Sequence, residues 1–220
     1  MSLDGFGPSI ATVSAVVSVE EHENPSPRIA EAPRARRRRL KPAIRRAEIL
    51  VAAARVMRRR GAATTIEDVA HEAGAARGTV YLYFPTWETL VLELRSLVLV
   101  EFSRRTAALL GAAPADGNWR RRAEQLTAAF VDFQVGLGGL REGLFHAPGV
   151  PRLSREVTAP IAGLLRAGAE AGELATDDPE STARLICAAA QATADAIAAS
   201  EPRERALAAL ADLVRRATAR

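Results

Sequence analysis

Apolar positions in this chain recur with a helical period over most of its length. From Ala43 to Arg60 they fall at Ile49, Leu50, Ala53, Val56 and Met57, the spacing that lines one face of an α-helix, and Gly61 supplies a stop. Thr65 is placed to cap a second helix over 66–73, with Ile66, Val69, Ala70 and Ala73 facing inward. Gly74 then permits a positive φ, so the backbone turns there. A third short helix fits Arg77 to Tyr83. Phe84-Pro85 breaks it, and Thr86 caps a long fourth helix expected to run to about Leu110. Further helices follow, roughly Asn118 to Val135, Leu140 to Phe145, Ser154 to Ala171, Pro179 to Ser200 and Pro202 to Ala219.

Ala and Leu dominate while aromatics are only 5% of the chain, which favours helices over strands by intrinsic propensity, so the expected fold class is all-α. Residues 1–40 mix Pro, Glu, Ser and Arg without a period and read as a disordered basic arm. A helix-turn-helix domain is expected over 41–90 and a helical domain over 91–220, with the Ala-rich last two helices as a packing surface for a second subunit.

Charge sharpens this division. The net charge is +4, yet residues 28–46 alone hold nine basic residues against one Glu, leaving the remainder at −4. A basic stretch so concentrated attracts a polyanion such as DNA. Arg36, Arg37, Arg38, Arg39 and Lys41 are placed to reach phosphates or an adjacent minor groove. The single cysteine, Cys187, excludes an internal disulfide framework and suits a reducing cytoplasm, where its simplest role is that of a small buried hydrophobe. His22, His71 and His146 are too scattered for a metal cluster, and the apolar run near residues 10–19 is too short to span a bilayer. A cytoplasmic protein with no metal, cofactor or membrane association is expected. Nucleophile elbow and phosphate-binding glycine loop are both missing, which argues against an enzyme.

The informative passage is TTIEDVAHEAGAARGTVYLYFPTWETL, residues 64–90. A short helix, a glycine turn and a second short helix form the tri-helical DNA-reading unit together with the first helix. Arg77, Gly78, Thr79, Tyr81 and Tyr83 are expected to face the major groove. Arg77 can reach guanine acceptors, Thr79 a base edge or phosphate, and the tyrosine hydroxyls phosphate oxygens, while Gly78 allows close approach.

Here the chain resembles the TetR family of bacterial repressors, through the Thr-capped helix, the glycine turn, GTVYLYF and the following TWETL. The resemblance implies that Thr65, Thr79, Tyr81 and Tyr83 meet DNA. Two positions depart from the family pattern: Ala76 stands where a capping Ser or Thr is usual, and Trp87 where a phosphate-binding Lys is common, leaving an indole N–H as the donor there. The resemblance also implies a homodimer on a pseudo-palindromic double-stranded operator, released when a small apolar effector enters the C-terminal helices. Phe102, Trp119, Phe130, Phe133, Phe145 and His146 are candidates for lining such a pocket, with Arg141 as partner for an anionic or carbonyl group; plain core packing is the alternative for each. A second reading keeps the DNA-binding dimer and drops the effector, leaving the C-terminal helices to serve dimerisation or a protein partner.

Overall fold

The computed structural model describes residues 42–110 and 117–219. Its described residues form helices and turns with no strand. The helices are α1 (Pro42–Arg60), α2 (Ile66–Glu72), α3 (Arg77–Tyr83), α4 (Trp87–Arg105), α5 (Ala107–Leu110), α6 (Trp119–Gly136), α7 (Gly139–Phe145), α8 (Arg155–Glu170), α9 (Pro179–Ala198) and α10 (Arg203–Ala217). None is long and apolar enough to cross a membrane. Arg36, Arg37, Arg38, Arg39 and Lys41 lie outside the described residues.

The helical spacing of α1 does what it predicts: Ile49, Leu50, Ala53, Val56 and Met57 are all buried. A one-turn 3-10 segment, Gly61–Ala63, then ends the helix, with Gly61 at φ +54°. The fourth expected helix does not run unbroken to Leu110. It stops at Thr106, whose hydroxyl donates to the Phe102 carbonyl at 2.8 Å and whose backbone leaves helical geometry. A threonine bonded back to the preceding turn loosens a helix, and the short α5 resumes beyond it. Caps on the later helices follow the sequence: Asn118 accepts from the Arg121 N–H, and Asp178, just before Pro179, accepts from the Ser181 N–H.

One apolar core runs from Ile49 in α1 to Val214 in α10. Within it α9 packs on α6, α8 and α10, while α7 sits between α1 and α4. Close approach of α7 to α1 depends on two glycines. A Cβ on Gly139 would lie 2.4 Å from the Arg58 carbonyl oxygen, and one on Gly143 2.9 Å from Met57 Sδ. This seam fixes the three N-terminal helices against the rest of the molecule.

Candidate nucleic-acid interface

The interface starts with the cap of α2. Thr65 Oγ1 accepts from the Asp68 N–H at 3.2 Å, and Asp68 returns the bond by accepting from the Thr65 N–H at 3.0 Å and from its hydroxyl at 2.7 Å. These bonds from Thr65, aided by Arg60, hold the Asp68 carboxyl below its usual range. The only proton of the Thr65 hydroxyl is therefore spent within the cap, and Thr65 shapes the interface by fixing α2.

At the far end of α2 the Gly74 N–H donates to the His71 carbonyl and the Ala75 N–H to the Ala70 carbonyl, at 3.1 and 2.9 Å. This pairing satisfies the last carbonyls of the helix and requires a left-handed residue between, which is Gly74 at φ +56°. The chain reverses and enters α3 through Ala76, which makes no side-chain cap. Val80 and the following Phe84, both fully buried, pin α3 to the core. Two turns of helix then decide what faces out: Arg77, Gly78, Tyr81 and Leu82 are exposed, Leu82 by 78%. Thr79 and Tyr83 sit on the flanks, half-buried, with Tyr83 packed against the core. Leu82 was open to discovery from sequence, since it lies one turn beyond Gly78 and on the side opposite Val80.

Arg77 is held ready on this surface. One guanidinium nitrogen meets Glu67 at 2.5 Å, another donates to the Tyr81 hydroxyl at 3.2 Å, and the group lies 5.4 Å from the Tyr81 ring centre. Two arginines of the basic stretch, Arg45 and Arg46, are engaged within the protein. Arg46 grips the Glu93 carboxylate with two nitrogens, donates to the Tyr83 carbonyl at 2.7 Å and covers the Phe84 ring at 4.4 Å. Arg45 binds Glu48 at 2.9 Å. Glu72 joins Arg59 at 2.6 Å and so ties α2 to α1. Trp87, in the first turn of α4 after the Thr86 cap, is half-buried and packed on the core.

This arrangement matches known proteins. Residues 49–94 fit the family model of bacterial regulatory proteins, tetR family. The N-terminal unit is a tetR-family domain. A putative tetR family transcription regulator from Shewanella sp. PV-4 shares the fold with 24% identity and a TM-score of 0.62, covering 80% of this chain and 98% of its own. A TetR transcription regulator from Haloarcula marismortui does so at 16% identity, TM-score 0.58, over 80% and 96% of the two chains. NemR of E. coli in its reduced form follows at 18% identity and TM-score 0.56, over 80% and 97%. No curated protein matches the chain. The likeness to these solved structures, over about 80% of this chain, is one of fold.

Behind the tetR domain, the candidate effector residues fall into separate groups. Phe102 stacks obliquely on Phe130 and Phe133, each with ring centres 5.2 Å apart, and Arg105 covers Phe133. Phe145 is buried, and Trp119 is half-buried with its Cβ 3.1 Å from where a Cβ on Gly168 would stand. Arg141 is buried and pairs with Asp195, which His146 Nε2 also approaches at 3.4 Å. Burial opposes the Asp195 charge, but Arg141 and His146 together outweigh it and hold that carboxyl below its usual range. Arg141 also lines a groove of about 350 Å³ with Arg58, Arg59, Arg60 and Glu142, a place none of the aromatic candidates reaches. Cys187 is fully buried, and burial pushes its thiol up to about 12, so it is an inert hydrophobe.

On the two last long helices, the side turned away from the core exposes apolar residues among the arginines Arg184, Arg205 and Arg216. Leu185, Ala188 and Ala192 on α9, and Ala208, Ala209 and Leu213 on α10, are exposed.

Proposed function

We propose that this tetR-type regulator is a cytoplasmic homodimer that represses by binding a pseudo-palindromic DNA operator and lets go when a small effector binds. The observation that carries the reading is α3, whose Val80 anchor leaves Arg77, Gly78, Tyr81 and Leu82 outward. Arg77 reads a guanine edge. The Glu67 pair is exposed and screened by solvent, so Arg77 can leave it for the two acceptors of a guanine. Tyr81 donates to a phosphate, Leu82 meets a thymine methyl, and Gly78 lets the backbone come close. Thr79 and Tyr83 reach the phosphates from the flanks, and the Trp87 indole N–H serves at the start of α4. The basic arm, Arg36 to Arg39 with Lys41, adds phosphate contacts, so a chain lacking residues 1–39 should show a shallower salt dependence of operator binding.

The exposed apolar residues of α9 and α10 favour dimerisation through the last two helices, which would set two copies of α3 in successive major grooves about 34–36 Å apart. Selection from a random duplex pool tests the whole reading. An enriched inverted repeat with that half-site spacing supports it, and a pool that stays unenriched at moderate salt overturns it. A second reading, a DNA-binding dimer without an effector, is favoured by the ring-on-ring packing of Phe102, Phe130 and Phe133, which is what ordinary core looks like. A compound that both stabilises the protein and releases DNA decides against it.

A further inference from the structure

Two arginines of the helical bundle are buried, and they are treated differently. Arg141 has a counter-ion in Asp195. Arg95, midway along α4 and wholly inaccessible to solvent, does not. Its Nη1 donates to the Pro151 carbonyl at 2.6 Å, while Nε and Nη2 are buried with no hydrogen-bonding partner among the described residues. A guanidinium cannot shed its proton to escape burial, so its charge has to be met by an anion. The carboxylate that acts on it through space, Glu156 in the first turn of α8, is exposed and makes no ion pair with it. The core also holds Gln134 of α6, fully buried with neither amide atom bonded among the described residues.

The chemistry of the free edge is specific. Nε and Nη2 are two parallel N–H donors in one plane, the face that a carboxylate engages with both oxygens. A phosphate would bring up to two charges and three oxygens to a single cation with two donors, so a monocarboxylate fits better. Val91 and Val98, one turn before and after Arg95, are buried, as are Val150 beside Pro151 and Val157 in α8, and the buried Ser154 hydroxyl of the same connection is without a hydrogen-bonding partner among the described residues. We infer that the Nε–Nη2 edge of Arg95 is the anchor for the carboxylate of a small organic acid with an apolar body, bound between α4 and the 147–154 connection.

The inference rests on the effector-release reading and gives that effector a chemical class. It also gives a route to DNA. Gly149 of the same connection lies against Glu88 in the first turn of α4, where a Cβ would come within 3.2 Å, and α4 begins four residues after the end of α3. An acid seated at Arg95 therefore bears on the helix that carries the reading helix.

The test uses the full chain with octanoate and benzoate, against octanamide and benzamide as neutral counterparts. Both acids should raise the unfolding temperature where the amides do not, and they should move one buried arginine Nε–H resonance downfield in the unaltered protein, a readout that needs no variant. Arg95→Met should bind the acids at least about tenfold more weakly, with Arg95→Lys between, since two charge-assisted hydrogen bonds are lost in the first and their planar geometry in the second. Amides that act as well as acids overturn the inference, as does an Arg95→Met chain that responds like the parent or an arginine resonance that no acid moves. Equally damaging would be a Glu156→Gln change that shifts this resonance without any acid, which makes Glu156 the counter-ion. Operator release by the amides alone rejects the carboxylate and keeps the effector reading; acid binding at Arg95 without operator release does the reverse.

Discussion

Unlike the three N-terminal helices, the bundle behind them buries charged side chains as well as pairing them at its surface. In the first region ion pairs lie on the outside: Arg59 to Glu72, Arg60 to Asp68 and Arg77 to Glu67 all join half-exposed or exposed side chains. In the second, Arg95, Glu101, Gln134 and Arg141 are buried. Surface pairs contribute little to stability but leave charge available to a partner, whereas buried polar groups have to be matched inside. The first region keeps its charge at the surface, and the second also holds polar groups within its core.

The seam between the two regions is where the largest effect is expected. Gly139→Ala would drive a methyl into the Arg58 carbonyl, a backbone atom that can yield only if α1 moves. It should destabilise the chain by about 1–3 kcal/mol, lowering the melting temperature by roughly 2–4 °C for each of these. Gly78→Ala, on the exposed face of α3, meets nothing within 4 Å. It should leave stability unchanged or raise it by about 0.5–1 kcal/mol while weakening operator binding. Thermal unfolding and operator titration of both variants decide the matter. Equal stability losses would show that α3 is not the free face described.

Next in size is Arg77→Ala. It should cost about 1–3 kcal/mol at one base pair of the operator and relax the preference there, with folding stability changed by less than about 0.5 kcal/mol. Binding to operators varied base by base measures it. A uniform loss across all bases would move Arg77 from reading to phosphate contact.

Much of this was legible from sequence because it depends on local chemistry. Gly74, Thr65 and Thr86 announce a turn and two caps, and the spacing of Ile49, Leu50, Ala53, Val56 and Met57 fixes which side of α1 is inside. What stayed hidden depends on neighbours distant in the chain. Nothing near Arg46 says that Glu93, 47 residues on, will take it out of the basic surface. In α3, two turns are too few for periodicity to separate a flank from a face, so Thr79 and Tyr83 read as outward although they are half-buried. Thr106 gave no sign of breaking a helix, because a threonine bonds back to its helix or stays in it according to packing. Arg95 looked like any helical arginine until the 147–154 connection folded over it.

The smallest effect tests the inward half of the comparison. Glu101 is buried beneath Arg104 and Arg105, accepting from them at 2.7, 2.7 and 2.8 Å. The Arg104 bonds, helped by Arg105 and opposed by burial, hold its carboxyl down at about 2, against 4.5 for a free side chain. A carboxyl lowered by folding adds stability that is complete above its unfolded value and is lost as the pH falls from about 4.5 through 2. Both arginines are about half exposed or more, so solvent screens the cluster and about 1 kcal/mol remains. Glu101→Gln should therefore lower stability by that amount near neutral pH, with the two chains converging toward pH 2. Urea unfolding at a series of pH values gives the profiles. Parallel curves would mean that the buried carboxylate contributes packing alone, and the contrast between charge kept outside and charge matched inside would then rest on Arg141 and Asp195.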